Sequence, residues 1–234
     1  MENSTFDKIE MQESISEEMV FKILEISLHF KSKETIDHTK RTSKYAKVLV
    51  HKMLKSEKYK RDLIQMNYES IINVMTIHDI GKIGIGDDIL FNLKRLSDKE
   101  FDKVKSHITV GLDILDFSLF ASKNAHTLAF KNCQDIIKYH HERWDGSGYL
   151  EGLRGEQIPL SARIAAIADV YDALTSERSY KKAFSHMETV QFIRRGAGSH
   201  FDPGIVNCFL DIAQDFKMIF DNSNKELNTI NLGG

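Results

Sequence analysis

Apolar residues recur along most of this chain at the three- and four-residue intervals of an α-helix, and few stretches alternate as half-buried strands do. The pattern predicts an all-α fold. Ser14 and Glu17 have capping-box spacing ahead of a helix whose face is Val20, Ile23, Leu24 and Leu28. A second helix is expected from about Glu34 to Met53. Residues 71–80 are apolar nearly all round, which predicts a buried helix with Gly81 just past its C-terminus and places His78 and Asp79 in the interior. Ser97 and Glu100 form another capping box, before a helix with Phe101, Val104, Ile108, Leu112 and Leu115 on one side and His107 and Gly111 on the neighbouring stripe. A further helix ends at Ile136, Ile137, His140 and His141, and the glycine-rich residues 145–155 have to be a loop. Residues 161–174 are small and apolar, as a close-packed central helix requires. Ser185 with Glu188 caps the next helix. Asp202 and Pro203 supply an N-cap and N1 proline for the last, which carries Ile205, Phe209, Ile212 and Phe216. With no internal repeat or low-complexity linker, one helical domain is expected over residues 14–220, flanked by a flexible segment at 1–13 and a loose polar tail at 221–234.

Composition narrows the partners. At 234 residues, 41% of them hydrophobic and 28% charged, the chain can build a core without staples. A net charge of -2 gives no overall attraction to DNA or to an anionic membrane, so an anionic ligand must be held locally. Cys133 and Cys208 lie far apart without CxxC spacing, which indicates neither a disulfide framework nor a zinc finger and fits a reducing cytoplasm. There is no basic segment followed by an apolar core at the N-terminus, and no apolar run approaches the ~20 residues that span a bilayer.

The candidate chemistry is a set of N/O ligands: Glu34, His38, His78, Asp79, His107, His140, His141 and Asp169. Glu34 and His38 are four apart on a helix and share a face, although alone they read as a solvated polar pair. His78 and Asp79 diverge by ~100° on a helix, so they can reach two neighbouring ions or one bridging position. A charged aspartate in an apolar segment needs a partner, and Lys82 supplies part of one. His107 alone reads as a surface histidine and His140-His141 alone as a helix end. Asp169, inside the apolar run 164–170, has no obvious partner. Eight such donors exceed what one ion uses. Without thiolates they suit iron, manganese or zinc. Two ions about 3.5–4 Å apart activate water and stabilise both oxygens of an in-line phosphoryl displacement, whereas a histidine base alone supplies only about 10²–10⁴-fold.

The same residues lie in motifs that run along the chain: ETIDHTKR at 34–41, HDIGKIGI at 78–85, HHERWDGSGY at 140–149, IPLSARI at 158–164, ADVYDALTS at 168–176 and RSYK at 178–181, with Gly198, Phe201, Asp202 and Pro203 completing the pattern. Through them, over roughly residues 20–215, the chain resembles the HD-GYP domains, a subgroup of the HD metal-dependent phosphohydrolases. The resemblance implies a helical bundle with a buried multinuclear site of two or three divalent metal ions, iron first and manganese second. It implies hydrolysis of cyclic di-GMP to pGpG or GMP by attack of a metal-bridging hydroxide. By matching position, His38, His78, Asp79, His107, His140, His141 and Asp169 would be metal ligands, with Asp79 bridging and Glu34 completing a third metal position. Lys82 would hold a phosphate or developing charge. Asp172, Arg178 and Lys181 would position the dinucleotide.

The chain departs from the family pattern at Leu150, which replaces the proline of the GYP triplet, at Gly86, where proline is usual, and at residues 91–94, which replace a KPG-type loop. Proline fixes φ, so looser loops or an altered partner surface are expected there. A diguanylate cyclase of the GGDEF type, or a sensor protein, is the partner expected at the loop carrying Gly146 and Leu150. Three other readings fit the same residues: a hydrolase of 3′,3′-cyclic GMP-AMP, a cyclic-dinucleotide-binding scaffold with little turnover, and a nucleotide phosphohydrolase of the wider HD superfamily.

Overall fold

The computed structural model describes residues 16–31, 33–92, 96–121, 127–177 and 182–231. Over these the chain is helical, with no strand and one isolated β-bridge between Ala197 and Phe201. The first helix, α1 (Glu17–His29), is capped by Ser16, whose hydroxyl accepts from the Met19 N–H. Ser14, the expected cap, lies outside the described residues. Val20, Leu24 and Leu28 turn inward, while Ile23 lies off that stripe and is 49% exposed.

Helix α2 (Lys33–Met53) buries Tyr45, Ala46, Leu49, Val50 and Met53 completely. After α3 (Glu57–Gln65) and α4 (Tyr68–Val74) the α-helix stops, earlier than the apolar run implied. Met75–Ile77 and Ile80–Gly84 are short 3-10 turns that flank His78 and Asp79. The second turn lies against α7 (His107–Ala121), and Gly81 is the reason it can. A Cβ there would stand 1.7 Å from the His107 carbonyl oxygen and 2.5 Å from the Gly111 nitrogen. Gly81 is therefore a close-approach residue and not a helix cap.

Between these segments come α5 (Asp87–Leu90) and α6 (Asp98–Lys105), the latter opened by the Ser97–Glu100 capping box. The single helix expected after that box is two helices. The chain breaks at Ser106, whose hydroxyl donates to the Lys103 carbonyl (2.6 Å) in place of a continuing ladder. Ile108 and Leu115 are buried, but Phe101 is left 46% exposed, and His107 becomes the first residue of α7.

Helices α8 (Leu128–Tyr139), α9 (Leu160–Thr175), α10 (His186–Arg195), α11 (Pro203–Asp211) and α12 (Ala213–Asn231) complete the bundle. The 205–216 apolar stripe belongs to two helices, because the chain turns at Ile212 before α12. Residues 221–231, expected to be a loose tail, continue α12, helped by the Lys217–Asp221 pair one turn apart. Small side chains let α9 lie along α2, and α4, α8, α11 and α12 surround this central pair. Ala162, Ala165, Ala168 and Ser161 on α9 are shut off from solvent. No helix among the described residues is long and apolar enough to cross a membrane.

Replacing Gly81 by alanine forces the turn off α7, where the obstacle is backbone that cannot rotate away. Gly81→Ala is expected to cost more than about 3 kcal/mol in a urea titration or to prevent folding. A loss below about 1 kcal/mol would contradict the close packing assigned to this glycine.

Candidate metal centre

Five imidazoles and two aspartates from five segments meet at the centre of the bundle. His38 comes from α2, His78 and Asp79 from the kink between the 3-10 turns, His107 from the start of α7, His140 and His141 from the end of α8, and Asp169 from α9. Two groups of donors emerge, Asp79 with His107, His140 and His141, and Asp79 with His38 and His78, and within each the donor atoms all lie within 4.8 Å of one another. Asp79 belongs to both. Its Oδ1 lies 3.5 Å from His107 Nε2 and 3.9 Å from His140 Nε2, while Oδ2 lies 3.3 Å from His78 Nε2 and 3.8 Å from His38 Nε2. Asp169 Oδ1 joins the second group, 3.3 Å from His38 Nε2 and 3.9 Å from His78 Nε2.

The backbone fixes how these rings face. His78 Nδ1 lies 2.9 Å from the Met75 carbonyl, His107 Nδ1 2.6 Å from that of Val104 and His140 Nδ1 2.8 Å from that of Ile136. A carbonyl only accepts, so each Nδ1 carries the proton and donates, leaving the Nε2 lone pair for the centre. The final carbonyls of a helix lack intrahelical partners. Ending α6 at Lys105 leaves the Val104 carbonyl for His107, while the Ile136 carbonyl accepts both the backbone N–H and the Nδ1–H of His140.

His38 is oriented by a carboxylate instead. Its Nδ1 lies 2.8 Å from Asp172 Oδ2, and Arg41, one turn along α2, donates to both Asp172 oxygens at 2.6 and 2.8 Å. Asp169 and Asp172, one turn apart on α9, thus take the two nitrogens of one ring. This changes the role expected for Asp172. It is 1% exposed and fully engaged beneath the ligand shell, where it fixes His38's tautomer and cannot face a substrate. Burial opposes its charge, yet the Arg41 and His38 hydrogen bonds hold its pKa below the usual carboxylate value. Arg41 was not singled out in the sequence, although its place three residues after His38 puts it on the same face.

Of the other expected residues, Lys82 pairs with Asp79 Oδ2 and keeps a quarter of its side chain in solvent, at the edge of the site. Glu34 lies on α2 one turn before His38, and its side chain is outside the described residues. Arg178 and Lys181 are also outside them.

The loop after His141, which carries Leu150, is tied down at several points. Glu142, 2% exposed, accepts from the Glu151 and Gly152 N–H groups at 2.7 and 2.9 Å and ties the loop's far side to its start. Trp144 and Asp145 donate to the His200 and Ser199 carbonyls. Gly148 passes so close to residues 141–143 that a Cβ would meet the Arg143 nitrogen at 2.4 Å. This places the Tyr149 ring in a stack on His141, with centroids 4.9 Å apart. Glu142 and Tyr149 are contributors that spacing alone did not reveal.

The residues present fit divalent ions. Asp79 Oδ1, His107 Nε2 and His140 Nε2 are sealed from solvent and have no hydrogen-bond partner, a costly arrangement unless a cation sits among them. Burial takes His107, His140 and His141 below the ordinary imidazole pKa, His141 to about 4, so these rings are neutral ligands at pH 7. Burial works against the Asp79 charge, but Lys82 and His78 hold its pKa well down. His78 differs from the other rings. Burial pulls its pKa down, but with no ion present Asp79 and then Asp169 beside it outweigh this and raise it to about 10, so an ion bound there would displace the Nε2 proton.

A family profile for the HD domain matches residues 22–205, and the chain belongs to that family. Within it, the chain is 42% identical over 190 residues to a probable cyclic di-GMP phosphodiesterase of Vibrio cholerae, covering 78% of this chain and 43% of that protein. It is 34% identical over 221 residues to a cyclic di-GMP phosphodiesterase of Thermotoga maritima, covering 93% and 56%. It is 32% identical over 215 residues to the Vibrio cholerae 3'3'-cGAMP-specific phosphodiesterase 2, covering 91% and 38%. The chain thus spans only about half, or less, of each of these relatives. Among solved structures, the cyclic GMP-AMP specific phosphodiesterase V-cGAP3 of V. cholerae shares the fold, with a TM-score of 0.55 over 90% of this chain and 53% of that one at 18% identity.

Removing the ions exposes the unpartnered donors to each other. Chelation is expected to lower the melting temperature by about 5–10 °C, the effect of losing a ligand held at a hundred times its Kd, with recovery on adding a divalent metal. An unchanged melting curve would count against the fit. Arg41→Ala leaves Asp172 buried with half its partners and is expected to cost about 3 kcal/mol in urea unfolding, with Arg41→Lys restoring only part because it lacks the two-pronged geometry. A cost under about 1 kcal/mol for the alanine variant would contradict this role.

Proposed function

We propose that this HD domain is a metal-dependent phosphodiesterase that hydrolyses cyclic di-GMP to pGpG, GMP or both. The observation that carries the reading is the shared carboxylate, Asp79, with one oxygen turned to His107 and His140 and the other to His38 and His78. A two-sided carboxylate of this kind suits two adjacent ions, and Glu34, one turn before His38, is the residue proposed to complete a third position. The donor set, nitrogen and oxygen without sulfur, supports iron first and manganese second. Such ions, when bound, supply an activated water and neutralise charge on the phosphodiester.

The protein's own groups do the rest. Asp79 holds the two halves of the site at a fixed separation. His141, kept neutral by burial and stacked on Tyr149, presents a ring that cannot swing away. Asp172 and Arg41 hold His38 in the tautomer that leaves Nε2 free. Lys82, already beside Asp79 and partly in solvent, is placed to trade that carboxylate for a phosphate oxygen or to meet developing charge. Arg178 and Lys181 are proposed to position the dinucleotide. A GGDEF-type cyclase or sensor at the loop carrying Gly146 and Leu150, and a cytoplasmic location, are also proposals. The relative named for 3'3'-cGAMP supports a second substrate, which competition between the two cyclic dinucleotides separates.

Protein purified without oxygen, with its metals counted, is expected to turn over cyclic di-GMP, and Asp79→Ala to lose at least about a thousandfold together with its metals. Full metal loading without turnover would contradict the proposal and favour a binding module.

A further inference from the structure

A cavity of about 640 Å³, a size ordinary for small-ligand sites, lies between α10, the turn after it and the loop that follows His141. Its walls include Arg143, Phe184, Phe192, Arg195 and His200. Two observations connect it to the centre. Arg143 follows the donor His141 by two residues in the chain. His200 accepts from the Trp144 N–H through its carbonyl, and its ring feels the charge of Asp169.

Two polar atoms of the lining residues lack hydrogen-bond partners. Arg143 Nε and His200 Nδ1 are both shut off from solvent without a hydrogen bond. Burial, then the charge of Arg143, takes the His200 pKa down to about 4, so the ring is neutral at pH 7 and does not repel the guanidinium. The remaining wall is aromatic, with two rings nearly at right angles. His200 stacks on Phe201 with centroids 4.1 Å apart, and Phe192, 41% exposed, meets His200 edge-on at 6.4 Å. The Glu188 carboxylate at the border is occupied by the Ser185 N–H and hydroxyl. An aromatic slot with a guanidinium at one edge recognises a planar ring that carries adjacent acceptors.

We infer that this cavity takes a guanine base of the dinucleotide, stacked against Phe192 with the His200 ring at right angles to it, and read along its O6 and N7 edge by Arg143. The inference rests on the phosphodiesterase reading for the identity of the full substrate. Guanine presents two acceptors on that edge, matching the donor-only arginine fork, whereas adenine presents an acceptor and an amino donor that the fork repels. Arg195 sets a second cation at the cavity, suited to a phosphate of the same nucleotide.

Calorimetric titration of the metal-loaded chain with GMP, AMP and ribose 5-phosphate tests the pocket without requiring turnover. Wild type is expected to bind GMP about tenfold more tightly than AMP or ribose 5-phosphate. Arg143→Gln and, separately, Phe192→Ala at the exposed wall are each expected to weaken GMP about tenfold and to leave ribose 5-phosphate within about twofold. Equal GMP binding by all three proteins, equal binding of GMP and AMP by wild type, or no GMP binding at all would overturn the inference. Cyclic di-GMP turnover by the same samples is read separately. GMP binding as expected without turnover sinks the phosphodiesterase reading and leaves the pocket standing, while turnover with GMP binding insensitive to both substitutions sinks the pocket alone.

Discussion

A carboxylate sealed from water is stable only when positive charge or hydrogen-bond donors replace the water it has lost, and in this bundle that constraint falls on Asp79. It is 2% exposed, with imidazole nitrogens on both sides and the Lys82 ammonium beside it. The Asp79 oxygen toward His107 and His140 has no donor at all, since each of those rings spends its proton on a backbone carbonyl. Much of the surrounding architecture follows from keeping that arrangement in place. The α-helix that would have swept through residues 71–80 gives way to two tight turns, so that His78 and Asp79 point to the two halves of one site. Gly81 then lets the second turn touch the α7 backbone, bringing His107 to Asp79.

The ligand rings are held by two different devices. Three histidines use backbone carbonyls three or four residues back, near the ends of the elements that carry them. His38, in the second turn of α2, uses a buried carboxylate instead, balanced by Arg41. That second device links α2 to α9, the central pair of the bundle, so the same contacts that orient a ligand also hold the core together. Arg41 further lies 5.7 Å over the Phe220 ring, which brings α12 into the same assembly.

The helical class and the caps at Ser97, Ser185 and Asp202 were legible because they depend on neighbours three or four residues away. So was the set of residues that gather at the centre, through motif resemblance more than through spacing. What the sequence hid depends on contacts between distant segments. Nothing local distinguishes Gly81 as a cap from Gly81 as a point of backbone contact with residue 107. The break at Ser106 turns on a single hydroxyl. Asp172 read as a substrate group because its motif neighbours are polar, and only the fold shows Arg41 and His38 closing over it. The tether of the loop that carries Leu150 was hidden because it is Glu142, whose carboxylate reaches nine and ten residues ahead. Helix α12 beyond Asp221 was hidden by its polar composition.

If the donors hold two ions, Asp79 is the residue that would be shared between them. Anomalous-scattering maps from crystals of protein prepared without oxygen, recorded on either side of the iron and manganese absorption edges, test it most directly. The account predicts two peaks about 3.5–4 Å apart, one beside His107 and His140 and one beside His38 and His78, with Asp79 between them. A single peak confined to one side, with the other Asp79 oxygen bonded to protein or water, would contradict it.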